Sequence, residues 1–186
     1  MTDDLVSTLR AIVERLEQLH IPYMLVGSVA ALAHGRSRTT QDFDIVIEVD
    51  VPRMRALIGV LPSERFYVSE DAALDAVRRE TLFNVVDLET GWKVDLVPRK
   101  RRDFSRTEFA RRIEVDLLGL RVFVASLEDT VIAKLEWSKL GGGSGRQLED
   151  ARELVALAGP RLDVAYVEPW IEALGLESEW QIVRGS

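Results

Sequence analysis

The chain has 186 residues, enough for one substantial core or for a main domain with a small appendage. Its hydrophobic fraction of 47% and charged fraction of 30% are those of an ordinary soluble globular protein, and no apolar run nears the ~20 residues that span a bilayer. A net charge of -7 argues against a surface coated in basic groups for nucleic acid, and the lack of cysteine excludes disulfides and thiolate metal sites. The N-terminal stretch is acidic and amphipathic, unlike a secretory signal, so the cytoplasm is the expected location.

In chain order, Leu5, Leu9, Ile12, Val13, Leu16 and Leu19 form a helical stripe, and Pro22 separates it from a short buried strand at Tyr23–Val26. A small-residue helix is expected over Ser28–His34, stopped at Gly35. Phe43, Ile45 and Ile47 alternate with Asp42, Asp44 and Val46, which predicts a strand. Asp50 and Pro52 read as the cap and first turn of a helix, and Asp71–Arg79 as another. Residues 81–97 read as a hairpin about Glu89-Thr90-Gly91, followed by short strands at Ile113–Leu117 and Arg121–Val124. Ser126 with Asp129 opens a helix, a glycine-rich break at 141–145 ends it, and a second helix covers Arg146–Ala158. One or two amphipathic helices remain. The expected fold class is α/β (α+β): a mixed β-sheet domain flanked by helices over 1–125, and a helical C-terminal region over 126–186 packed on it.

The chemistry concentrates between Tyr23 and Ile47. Asp42 and Asp44 share one strand face, with α-carbons roughly 7 Å apart. Carboxylates this close repel unless a cation lies between them, and hard Mg²⁺ suits such oxygen ligands. Asp95 in KVDLV would complete a triad if its strand neighbours that of Asp44, and Asp87 is its rival. Gly27 permits close approach of the backbone to a phosphate, and Ser28 starts a helix whose N–H groups favour anions. Arg36, Arg38, Thr39 and Thr40 could complete the shell of a triphosphate. Residues 98–112 carry a run of arginines, read either as a solvated loop and helix face or as a patch for a phosphate-bearing substrate. Trp137, Trp170 and Trp180 read as helix-packing residues and His34 as a helix-end residue.

Gly27-Ser28, a thirteen-residue gap and then Asp42-Phe43-Asp44-Ile45 resemble the pattern of the DNA polymerase β-like nucleotidyltransferase superfamily. The form GSVAALAHGRSRTTQDFDIVI looks most like small bacterial members related to AbiEii-type abortive-infection toxins and their relatives. The resemblance is specific over about residues 22–48, is supported by Asp95, and is loose over the C-terminal helices. It implies a nucleotidyltransferase-type sheet and an Mg²⁺ (or Mn²⁺) enzyme that uses two ions with a nucleoside triphosphate such as ATP. Asp42 and Asp44 would bind both metals, and Asp95 would bind one and serve as or assist the base. A nucleoside monophosphate would pass to a hydroxyl, with release of pyrophosphate. Lys134 and Asp150 resemble polar positions on the helical part of these relatives and are candidate nucleotide or acceptor contacts.

The acceptor stays open: RNA such as a tRNA end, a protein hydroxyl, or a small molecule such as an aminoglycoside. Two further readings compete with the active enzyme. One is a catalytically silent module that binds nucleotide or a partner. The other is a toxin–antitoxin component docked on a cognate partner protein through its C-terminal helices.

Overall fold

A computed structural model describes residues 2–35, 42–142 and 145–185, with only the backbone described for Thr2 and Asp42. The candidate residues Arg36, Arg38, Thr39 and Thr40, and the side chain of Asp42, therefore lie outside the described residues.

The elements run α1 (Thr2–Gln18), β1 (Tyr23–Val26), α2 (Gly27–Ala33), β2 (Asp42–Ile47) and α3 (Val51–Val60). Next come β3 (Phe66–Val68), α4 (Glu70–Arg79), β4 (Phe83–Asp87), β5 (Lys93–Pro98), α5 (Asp103–Ala110), β6 (Ile113–Leu117) and β7 (Leu120–Val124). The chain finishes with α6 (Leu127–Leu140), α7 (Gly145–Ala158), α8 (Val164–Leu174) and α9 (Glu177–Arg184). Local chemistry explains several boundaries. The Asp50 side chain accepts from the Arg53 N–H at the start of α3, and Ser69 and Ser126 cap α4 and α6 in the same way. Gly175, in the left-handed region at φ 64°, stops α8.

The strands form one sheet of seven in the order β3-β4-β5-β2-β1-β7-β6. The β2–β5 and β1–β7 pairs are parallel and the other pairs antiparallel, so the sheet is mixed. Phe43, Ile45 and Ile47 of β2 are fully buried on one face, where Phe43 stacks on Trp92 with centroids 4.9 Å apart. The alternation that buries them turns Asp44 and Val46 to the other face.

Two hydrophobic clusters hold the molecule. The larger joins the sheet to α1, α3 and α4. The second lies among α6, α7, α8 and α9, but also takes in Ala31 from α2 and Phe104 from α5. The short strand β3 and the helix α5 are additions to the elements read from sequence. Tyr67 in β3 is exposed between Phe66 and Val68, a span too brief to reveal a period.

The arginines of residues 98–112 are engaged with other groups of the protein. Arg99 pairs with Glu48, Arg101 with Glu80, Arg102 with Glu136, and Arg111 with Glu128 and Asp129. Arg106 donates to the Arg101 carbonyl at 2.8 Å and Arg112 to that of Phe109 at 2.6 Å. The segment links the sheet to the helical cluster, and of its cations Lys100 and Arg102 line the cleft described below.

Candidate active site

β2 and β5 run parallel in a register that pairs Asp44 with Asp95, so the two acids stand side by side on adjacent strands about 4.8 Å apart. Asp42 pairs with Lys93 two residues earlier. On the other side of β2, Val26 pairs with Asp44, so the chain turns into α2 directly beside that carboxylate. Gly27 adopts a φ of 64°, and a Cβ there would lie 3.2 Å from the Asp44 carboxyl carbon and collide with its oxygen. Glycine is required for two reasons at once: the left-handed backbone and the close approach of the acid.

Asp95 is 8% exposed. Asn84 of β4, its register partner, donates to Asp95 Oδ1 at 2.5 Å, and Lys93 Nζ lies 3.3 Å from the same oxygen. These contacts fix one carboxylate oxygen. Asn84 was missed in the sequence, although its place between the buried Phe83 and Val85 signals a polar group on the other sheet face.

Asp87 faces away from this site. It is fully buried on the opposite side of β4, where it accepts from Thr8 Oγ1 at 2.6 Å, Arg65 at 2.9 Å and the Glu89 N–H at 3.1 Å. Burial alone would raise its pKa, but the hydrogen bonds from Arg65, Thr8 and the Glu89 N–H together hold it below the ordinary carboxylate range. Asp87 is an anchor between α1 and the hairpin.

A cleft of about 370 Å³ opens over Gly27, Ser28, Asp44 and Asp95. α6 and α7 contribute Lys134 and Gln147, and the segment leading through α5 contributes Lys100, Arg102 and Glu108. Lys134 is buried, donating to Asp150 at 2.7 Å and to Gln147 at 3.2 Å. Lys134 thus reaches the cleft, whereas Asp150 positions it from behind. Arg102 makes a forked pair with Glu136, one arm at 2.6 Å, and donates to Ser105 at 2.9 Å.

Trp137 departs from its expected packing role: it is 60% exposed and lines the cleft. Trp170 does pack, edge-on to Phe104 with centroids 5.3 Å apart, and Trp180 is buried. His34 caps α2 and pairs with the Ala125 carbonyl at 2.8 Å, which ties that helix to the end of β7. Among the described residues no group of three or more acids, histidines or cysteines gathers as a metal cage. Asp44 and Asp95 form an adjacent pair, and the third predicted ligand has its side chain outside the described residues. Paired hard carboxylates beside a backbone free of Cβ suit a hard divalent cation.

The fold is that of the nucleotidyltransferases. The antibiotic-resistance factor ANT(2'')-Ia superposes with a TM-score of 0.62 at 15% identity, covering 100% of this chain and 97% of that one. An antigenic nucleotidyltransferase-like protein from Paracoccidioides brasiliensis gives 0.58 at 17% identity, covering 98% of this chain and 93% of that one. The lincosamide antibiotic adenylyltransferase LnuA gives 0.53 at 15% identity, over 84% of this chain and 98% of its own. No protein-family model and no curated protein sequence matches the chain.

Proposed function

We propose that the protein is a divalent-metal-dependent nucleotidyltransferase that moves a nucleoside monophosphate from a nucleoside triphosphate to an acceptor hydroxyl. The observation that carries this reading is the register pairing of Asp44 with Asp95 directly beside the Gly27-Ser28 turn. The similarity of fold to adenylyltransferases supports it.

On this reading Asp42, Asp44 and Asp95 would hold Mg²⁺ or Mn²⁺, which when bound would neutralise charge on the triphosphate and lower the pKa of the attacking hydroxyl. Asp44 and Asp95 set the position of the reacting phosphate from two adjacent strands. Asn84 and Lys93 engage one oxygen of Asp95 and leave the other to accept a proton from the acceptor hydroxyl. Gly27 and Ser28 offer backbone N–H groups and one hydroxyl to the distal phosphates. α2 has only seven residues, so its dipole adds little, and Lys134, held by Asp150, turns its ammonium toward the triphosphate. Arg38 and Thr40 join the triphosphate shell as sequence-based assignments. Residues 1–125 supply the catalytic groups, and 126–186 close the cleft.

A small-molecule acceptor is favoured over RNA, because the net charge is -7 and the arginines of 98–112 are paired with acids or carbonyls. ANT(2'')-Ia has been solved with adenylyl-2''-tobramycin and LnuA with lincomycin, both small hydroxyl-bearing molecules. The toxin–antitoxin reading rests on the sequence resemblance alone. The silent-module reading is disfavoured because Asp42, Asp44 and Asp95 are all retained.

The test incubates the protein with Mg²⁺, each α-labelled triphosphate, and separate pools of small hydroxyl compounds and RNA. Wild type should transfer label, and Asp44→Ala should lose at least about 100-fold. Nucleotide binding without transfer to any pool would leave the silent module standing instead.

A further inference from the structure

Glu108 is a buried acid in the cleft wall. It lies one helical turn after Phe104 in α5, is 8% exposed, and lines the cleft. Among the described residues nothing donates a hydrogen bond to it or forms an ion pair with it. Neighbouring acids are each answered within the protein: Glu136 by Arg102, Asp95 by Asn84, and Asp129 by Ser126, Tyr166 and Arg111. Its carboxyl oxygens are not sealed from the cleft, so a molecule bound there can reach them.

The charged groups that act on Glu108 come from two directions. Asp129 and Glu136 on α6 oppose its ionisation, whereas Arg102 and Lys100, ahead of α5, favour it. Arg102 already pairs with Glu136, so its charge is largely offset. Burial, reinforced by Asp129, raises the carboxyl to about 8, and at neutral pH it therefore presents an O–H donor beside a carbonyl acceptor. The same cleft is lined by Trp137, Leu140 and Leu82, each half or more exposed, which give it an apolar surface as well.

An apolar flat face with an edge of ring nitrogens and carbonyl oxygens is the chemistry of a nucleobase; a sugar-like acceptor presents hydroxyls on every side. We propose that Glu108 reads the base of the bound nucleotide, its carboxylic acid O–H donating to a ring nitrogen or carbonyl oxygen while Trp137 covers the base face. The assignment rests on the reading that this cleft holds a nucleoside triphosphate, and it adds a specificity-determining residue outside the metal and phosphate groups.

Calorimetric titration of the full chain tests it. The probes are the Mg²⁺ complexes of ATP, CTP, GTP and UTP, with Mg²⁺-tripolyphosphate as a ligand that has no base. Wild type, Glu108→Gln and Glu108→Leu are compared from pH 6.5 to 9.5. The Leu variant should lose about tenfold in affinity for the best-bound triphosphate at pH 7, and the Gln variant, which keeps a neutral donor, much less. Wild-type affinity should fall as pH rises through about 8, whereas that of Glu108→Gln stays flat. Tripolyphosphate should bind all three proteins alike. Equal affinity of the three proteins for every triphosphate would overturn the assignment, and so would an equal loss for tripolyphosphate. Wild-type binding that tightens with pH while Glu108→Gln fails would make Glu108 an anchor for a cation, against the proposal. If wild type binds tripolyphosphate but no triphosphate any better, the base-reading role fails while the phosphate site stands. If it binds neither, the triphosphate reading of the cleft fails and takes this assignment with it.

Discussion

Gly27 shows how little freedom a single residue of the site retains. Its backbone is left-handed and its missing Cβ leaves room for the Asp44 carboxylate, so alanine there meets two separate penalties. Gly27→Ala should lower stability by about 1 to 2 kcal/mol, read by chemical denaturation. The larger effect should fall on Mg²⁺-nucleotide affinity, because the Asp44 carboxylate must turn away from the new methyl. Retention of wild-type affinity in this variant would mean that the orientation of Asp44 is immaterial. The neighbouring roles differ in how far sequence could reveal them. Asp44 and Asp95 announce themselves by alternation with apolar residues. Glu108 does not, because an acid in an arginine-rich segment reads as a solvated face. The available signal was its spacing of four from Phe104, which places both on one side of a helix.

Among the elements, α1 and the β4–β5 hairpin are locked by one buried carboxylate. Asp87 collects Thr8 from α1 and Arg65 from the turn before β3, so three stretches distant in sequence meet at one group. Asp87→Asn should cost about 2 to 3 kcal/mol at pH 7. The pH dependence has a definite sign. The folded pKa lies below the unfolded value of 3.8, so this contribution is complete above that value and is lost as pH falls toward the folded one. Wild type should therefore shed more stability than Asp87→Asn as pH falls below 3.8, as followed by thermal melts. Parallel melting curves over that range would show that Asp87 is not held as an anion. Most element boundaries were legible because their chemistry is local: Asp50, Ser69 and Ser126 cap, and Phe43, Ile45 and Ile47 alternate. The role of Trp137 was not, since α6 has buried residues around most of its circumference and shows no stripe to mark the cleft side.

Across the whole molecule, the sheet and the terminal helices share side chains as well as a boundary. Ala31 and Phe104 belong by sequence to the first part and by packing to the helical cluster, while Arg102 and Arg111 bind acids on α6. The protein should therefore unfold in one transition, with tryptophan fluorescence and far-UV circular dichroism coincident. Two separated transitions would show that the helical part is an independent unit. Strand order in particular could not be read ahead, because nothing local to KVDLV says that it joins β2 rather than another strand; that choice is made by long-range pairing. The same pairing makes the site all-or-none with respect to inserted or deleted residues. One residue gained within β5 upstream of Asp95 would turn the acid toward the core face and the buried Leu96 away from it. An odd-numbered slip inside this one ladder therefore separates Asp95 from Asp44 in a single event.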